Sequence, residues 1–274
     1  MNQAVMIINC YLYGATAVML LVLLLIVYLR GQVNHFPNPF AKKNLVYRHP
    51  AQAKGVLFGK KFGLLAYSPE QDEGHILVLG PSGTGKTSAL LIPTLRSWQG
   101  TALVVDISGD ISANVNTPNK IVFDPTSENC IPYDVFASIN EVTDDTEAIL
   151  FCLDEFASFG KLQIVESLRK LRKRRIRILV LTQSLADLDM IYGKDERKAM
   201  LSNFKFTVLL GCKDTETQEY FSKMIGEKRS LLATDPNQKP QPIIKPADLA
   251  HLEQDLFVIC DDGAIRLRKN FYFK

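Results

Sequence analysis

The chain has 274 residues, 47% hydrophobic and 22% charged, enough for one sizeable core with appendages, and this composition excludes general disorder. Its 32 basic and 29 acidic residues leave a net charge of only +3. Residues 1 to 29 carry no charge, residues 30 to 61 carry seven basic and no acidic side chains, and the rest sums to −4, which excludes the global excess of a nonspecific nucleic-acid binder but leaves room for a local patch.

From Ile7 to Leu29 the sequence runs 23 residues without a charge. At ~1.5 Å per residue such a helix just crosses a bilayer core of ~30 Å, so residues 1–30 are predicted to form one N-terminal transmembrane anchor. The competing reading is a cleaved signal peptide. It is weakened by an uncharged MNQAV start and by the lack of a small-x-small site after the apolar run. The basic flank from Arg30 to Lys61 places the C-terminal side in the cytoplasm and the N-terminus outside, as a single-pass protein of the cell membrane, and favours anionic membrane lipids. Residues 31–54 are expected to be a basic juxtamembrane linker, semi-extended around His35 to Phe40, and residues 55–274 one nucleotide-binding domain.

GVLFGKKFGLLAYSPEQDEG, from Gly55, reads as short strands separated by turns, followed by an apolar strand over 75–79. Next comes Gly80-Pro81-Ser82-Gly83-Thr84-Gly85-Lys86-Thr87, which matches G-x-x-x-x-G-K-[ST] between that strand and a helix predicted over Ser88 to Trp98. The glycines let successive backbone N–H groups point at phosphate oxygens, and the helix start at Ser88 adds its partial positive charge. Lys86 suits the β- and γ-phosphates of ATP, and the Thr87 hydroxyl suits Mg²⁺. A coincidental glycine turn is the bland alternative.

Further strands are predicted near 102–106, 120–123 and 148–153. The last of these ends in Asp154-Glu155, where the first acid suits the metal and the second can polarise an attacking water, a pairing that points to hydrolysis. In isolation the same pair is an ordinary helix cap. SLRKLRKRRIR then places seven positive charges (Arg169, Lys170, Arg172, Lys173, Arg174, Arg175, Arg177) within nine residues. A solvated helix end is the default, while an arginine reaching a neighbouring subunit's γ-phosphate and a face for a nucleic-acid backbone are the sharper readings.

The strand predicted over 176–182 delivers Thr182, Gln183 and Ser184 to the carboxyl end of the sheet, where open α/β sheets bind ligands. Gln183 there either reports on the γ-phosphate or caps the helix that begins near Ser184. A strand over 205–210, a proline-rich loop from Thr234 to Pro246, a hairpin turned at Asp261-Asp262-Gly263 and an aromatic strand from Asn270 to Lys274 complete the expected α/β fold with a mainly parallel sheet. The five cysteines are odd in number with no CxxC pair, and the four histidines lack ligand spacing, which disfavours a disulfide framework or a zinc site. Cys152 and Cys260, inside apolar runs, are read as reduced core residues.

LDEFASFGKL from Leu153, LVLTQSLADLDMIYGKDE and NFKFTVLLGCKDTETQEYFSKMIGE, taken with the phosphate loop, Asp124-Pro125 and the C-terminal IIKPADLAHLEQDLFVICDDGAIRLRKNFYF, resemble the coupling proteins of type IV secretion systems, the conjugative TraG-like ATPases of the FtsK/HerA group. The resemblance implies a membrane-tethered RecA-like P-loop domain, hexameric when active. It would hydrolyse ATP with Mg²⁺ and link a relaxase–DNA complex, with single-stranded DNA, to channel components of the secretion system. It further implies that Lys86 and Thr87 form the Walker A pair, Asp154 and Glu155 the Walker B pair, Gln183 the glutamine of the next strand, and Arg172 or its neighbour Lys173 the trans-acting cation. Three departures stand out: only Pro125 to Ile149 occupies the place of the family's all-helical domain, leaving it absent near 140–147; one membrane helix replaces two; and Asp106-Ile107-Ser108-Gly109-Asp110 replaces a Pro-Lys-Gly-Glu-like turn. The absent part leaves a second hypothesis, a nucleotide-binding docking receptor with little motor activity. A third, a nucleotide kinase, is opposed by the anchor and by the lack of an acceptor lid.

Overall fold

A computed structural model describes residues 44–123, 148–228 and 240–273. The expected anchor over 1–30, most of the 31–54 linker, Asp124-Pro125 and the place of the shortened insertion lie outside the described residues. Among the described residues no helix is long and apolar enough to cross a membrane.

The strands in chain order are β1 (Val46–Arg48), β2 (Gly55–Lys61), β3 (Leu64–Pro69), β4 (His75–Leu79), β5 (Ala102–Val105), β6 (Ile149–Leu153), β7 (Ile176–Thr182), β8 (Phe204–Leu209), β9 (Glu227–Lys228), β10 (Gln241–Pro242), β11 (Asp255–Cys260) and β12 (Gly263–Arg268). Ten of them form one sheet in the order β1-β3-β2-β12-β11-β8-β4-β7-β6-β5, and β9 pairs with β10 apart from it. From β8 to β5 the neighbours are parallel. From β8 to β1 they are antiparallel. The expectation of a mainly parallel sheet is therefore corrected to a mixed one. The reason is local: the β2–β3 and β11–β12 connections are too short for a crossover, and a short turn permits only antiparallel pairing.

β4 and β7 are long apolar runs because both of their faces are covered. Alternation along β4 sends Ile76 and Val78 to one cluster, with Leu90, Leu91, Leu95 and Trp98, and Leu77 and Leu79 to the other, with Phe156, Leu185 and Leu188. The first layer is contributed by α1 (Ile92–Ser97), which continues a wide π-turn over Lys86–Leu91. A single turn, α2 (Asp110–Asn114), follows β5. The second layer is contributed by α3 (Ile164–Leu171), α4 (Leu185–Leu201) and α5 (Thr215–Ile225). α4 contains a break at Gly193, whose φ of 76° and ψ of 161° are not helical.

Four local expectations are corrected. The expected linker is folded from its last residues onward: Leu45 and Ala53 are buried and β1 joins β3. The strand expected over 120–123 is absent, and Ile121, Val122 and Phe123 are exposed rather than laddered. The aromatic tail is not a strand either, because the Tyr272 N–H is donated to the Ser88 carbonyl (3.1 Å) instead of to a ladder partner. Cys152 is fully buried as expected, but Cys260 at the end of β11 is only half-buried.

The amino ends of β4 and β7 are tied together by a buried polar side chain, His75. His75, almost fully buried, accepts from the Ile178 N–H at Nδ1 (2.9 Å) and donates from Nε2 to the Leu168 carbonyl (2.7 Å), which fixes the neutral tautomer. Burial holds its pKa below the ordinary histidine value, the Arg177 and Arg172 charges press the same way, and the Leu168 carbonyl opposes them. The unfolded chain therefore takes up this proton first, at about pH 6.5. Stability from His75 is complete above that pH and drains as pH falls toward the depressed folded value. Urea midpoints measured from pH 7.5 downward are expected to fall more steeply in the unmutated protein than in His75→Asn; parallel slopes would refute the assignment.

Candidate phosphate-loop site

The candidate site lies past the carboxyl ends of the parallel strands. In the order β8-β4-β7-β6-β5, the loop after β4 and the acids after β6 flank the end of β7. The register aligns Leu79 with Thr182 and Leu153 with Val180, so Gly80, Gln183 and Asp154 emerge on one rim.

The loop is shaped by its own hydrogen bonds. The Gly80 N–H is donated to the Thr182 carbonyl (3.2 Å), and both the Thr84 N–H (3.3 Å) and the Thr84 hydroxyl (2.8 Å) are donated to the Pro81 carbonyl. Gly85 has φ +94°, a left-handed conformation that a side chain rarely adopts, and a Cβ there would lie 2.9 Å from the Phe271 ring. Ser82 and Gly83 are exposed at the tip, and Thr87 and Ser88 are half-buried at the helix start.

Lys86 is buried and donates to the carbonyls of Gly80 (2.6 Å) and Pro81 (3.4 Å). Burial pulls its pKa below the usual lysine value, against the attraction of Asp154, Glu155 and Asp187. Asp154 is also buried, and burial pushes its carboxyl above the usual range; the Glu155 N–H (3.1 Å) and Lys86 pull it down, while Glu155 and Asp106 push it further up. Glu155 is half-buried with φ 49° and ψ 49°, an uncommon conformation for a residue with a side chain. Its strain is held by that N–H bond and by the Ser158 N–H donated to its carbonyl (2.8 Å). Behind the acids, Phe156 stacks on Tyr192 with centroids 5.8 Å apart, and the Tyr192 hydroxyl accepts from the Leu162 N–H (3.2 Å).

Gln183 is exposed and does not cap α4. That task falls to Ser184, whose hydroxyl accepts from the Asp187 N–H (3.1 Å) while the Asp187 carboxylate accepts from the Ser184 N–H (3.0 Å). Asp106 is occupied in the same way, accepting from the N–H groups of Gly109 (2.9 Å) and Ser112 (2.8 Å). Asp110 is exposed at the start of α2.

The donor set fits a magnesium–triphosphate. A buried ammonium faces the loop, a left-handed glycine opens the cradle, and a buried carboxylate with a raised pKa lies on the same rim. The Thr182 hydroxyl is also buried there without a hydrogen-bond partner.

Arg172 is not brought to this rim within one chain. It is exposed in the turn after α3, at the amino end of β7, close enough to act on His75. Arg169, Lys170, Arg174 and Arg175 are exposed beside it. Arg177 departs from the solvated-helix reading: it is fully buried in β7, donating to the carbonyls of Gly74 (3.1 Å) and Pro69 (2.9 Å) and to the Ser68 hydroxyl (3.1 Å). Burial lowers its pKa to about 10, against the pull of Asp72 and Glu70. Sequence reasoning also missed Asp187, although S-x-x-D before an apolar stretch marks a helix start.

Comparison with known proteins places two family models on the chain. Residues 60–149 match the type IV secretion-system coupling protein DNA-binding domain, and residues 148–254 match the TraM recognition site of TraD and TraG. Protein VirD4 of Agrobacterium fabrum is 35% identical over 85 residues, 31% of this chain and 13% of that protein. The conjugal transfer protein TraG of Escherichia coli is 32% identical over 102 residues, 33% of this chain and 16% of that one. The match thus spans under a fifth of either relative's length. Among solved structures, the plasmid coupling protein TrwB in complex with a non-hydrolysable ATP analogue superimposes with a TM-score of 0.64 at 16% identity, covering 80% of this chain and 91% of that one. The sulphate-bound trigonal form of TrwB gives 0.65 at 15% identity, again covering 80% and 91%. At such identity these structures establish the fold.

Proposed function

We propose, from the premise that the chain is a relative of the type IV secretion coupling proteins, that it is a Mg²⁺-dependent ATPase coupling a conjugative DNA–protein substrate to a secretion channel. The observation that carries the chemistry is the buried Lys86 at the start of the helical turn after β4, donating to its own loop and drawn toward the two acids that follow β6. In this reading Lys86 leaves the Gly80 and Pro81 carbonyls for the β- and γ-phosphates of ATP, and backbone N–H groups between Ser82 and Ser88 cradle them. Thr87 and Asp154 hold Mg²⁺, which when bound neutralises charge on the phosphates. Glu155 accepts the proton of the attacking water, and Gln183, uncapped and exposed between loop and acids, senses the γ-phosphate.

Arg172 lies at the other end of β7, so it reaches a nucleotide only in a neighbouring subunit, which supports a ring, hexameric when active. The exposed cations Arg169, Lys170, Arg174 and Arg175 suit single-stranded DNA or the neighbour. The relaxase–DNA complex and the channel components are the partners of the assembly. The uncharged run Ile7 to Leu29 supports a single-pass anchor in the cell membrane, and Arg30 to Lys61 supports a cytoplasmic domain in contact with anionic lipids.

A docking receptor with little turnover is the second reading, favoured by the TraM recognition family model over 148–254. Phosphate release from Mg-ATP, with and without single-stranded DNA, tests the choice. The unmutated chain is expected to exceed Lys86→Ala by at least about a hundredfold, the order of one lost electrostatic contact to the transition state. Equal rates would refute the ATPase reading.

A further inference from the structure

Of three consecutive aromatics, Phe271, Tyr272 and Phe273, the first two lie against the phosphate loop and the helix start, and the third packs on both of them. The segment is pinned from several sides. Lys269, buried, donates to the carbonyls of Leu210 (3.2 Å) and Leu252 (2.7 Å) and fixes the chain as it leaves β12. The Tyr272 N–H is donated to the Ser88 carbonyl, the Tyr272 hydroxyl to Asn114 Oδ1 (3.0 Å), and the Arg96 guanidinium lies 4.9 Å from the centroid of the Tyr272 ring. Tyr272 is thereby spent on structure. Its position sets Phe271 against Gly85 and leaves Phe273 60% exposed, with the two rings 5.4 Å apart and tilted by 35°.

An exposed phenyl ring costs hydration free energy unless something covers it. Here the ring follows directly on Tyr272, whose N–H is tied to the Ser88 carbonyl, one residue past the lysine–threonine pair. In a phosphate loop read in that direction, the amides after the lysine meet the phosphates nearest the ribose, so the base emerges on the side where this tail is tied. We infer that Phe273, backed by Phe271, is the stacking face for the nucleobase of the bound nucleoside triphosphate. This inference rests on the nucleotide-binding reading of Gly80 to Thr87. The face is a ring without hydrogen-bonding groups, so it selects for a base over no base more strongly than for one purine over another.

The test compares two probes on the full chain: ATP, and inorganic tripolyphosphate, which has the charge but no base. Phe273→Ala is expected to weaken Mg-ATP binding on the order of tenfold, the scale of one lost base–aromatic stack, and to leave tripolyphosphate binding unchanged. Phe273→Trp is expected to restore ATP affinity. If Phe273→Ala binds ATP as tightly as the unmutated chain, the stacking inference is wrong while the phosphate-loop reading stands. If Phe273→Ala weakens both probes equally, the ring supports the loop rather than the base, and the inference is again overturned. If the unmutated chain binds neither probe, the nucleotide reading itself fails and takes the inference with it.

Discussion

Replacing Glu155 with glutamine is expected to lower steady-state phosphate release by about 10²- to 10⁴-fold, the range for loss of a general base, while nucleotide affinity stays within a few fold. Glutamine has the same length and keeps the backbone hydrogen bonds that hold the left-handed turn at 155. What it loses is a carboxylate oxygen able to accept a proton. Lys86, Thr87 and Asp154 are untouched, so binding and turnover separate. Equal turnover in Glu155→Gln and the unmutated chain, at matched oligomer concentration, would show that the water is activated elsewhere.

The second large effect concerns stability. Arg177→Met is expected to lower the free energy of unfolding by about 3–5 kcal/mol, the cost of breaking one side of a buried charged network. A domain of this kind has only ~5–15 kcal/mol in total. The guanidinium holds the β3–β4 connection by three bonds, and Asp72 in that connection accepts from the Ser68 hydroxyl (2.8 Å), the Gly74 N–H (2.9 Å) and the Lys205 ammonium (2.9 Å). Methionine fills the volume but takes the guanidinium donor from the Gly74 carbonyl, leaves the Pro69 carbonyl with the Asp72 N–H (3.1 Å), and leaves Asp72 with less compensation. Arg177→Lys is expected to recover only part of the loss, because a single ammonium cannot span three separated acceptors. Urea midpoints with matched m-values check the prediction, and a loss of unfolding free energy below about 1 kcal/mol would refute it.

The parallel half of the fold was readable because its information is local. β4 and β7 have the predicted bounds, as each is an apolar run closed by turn residues. The rim that gathers Gly80, Asp154 and Gln183 follows from strand ends, which the same runs mark. The antiparallel half was not readable to the same degree. Each short hairpin is local, but its outer partner, β12 for β2 and β8 for β11, is far away in sequence, and a hairpin by itself is compatible with several neighbours. The basic run reads as a solvated helix end although the strand predicted over 176–182 already contains its last residue, Arg177, and RIRILVLT shows that cation interrupting an apolar run. The tail misled for the opposite reason: N-F-Y-F suits a strand, but Tyr272 is tied instead to Ser88, Asn114 and Arg96, partners far away in sequence.

The break at Gly193 makes α4 an articulated piece rather than a rod. Its first half is fastened through Tyr192 to the chain leaving the acids, and its second half through Lys194 (3.0 Å to Glu216) and Arg197 to α5. One catch crosses the joint, the Arg197–Asp189 ion pair at 2.6 Å, shielded from solvent. A change of angle within this helix would thus fall at a single backbone position with its own lock, while the Leu185 N–H on Thr217 (3.3 Å) and the Lys161–Glu196 pair (2.7 Å) also join each half to the other's neighbour.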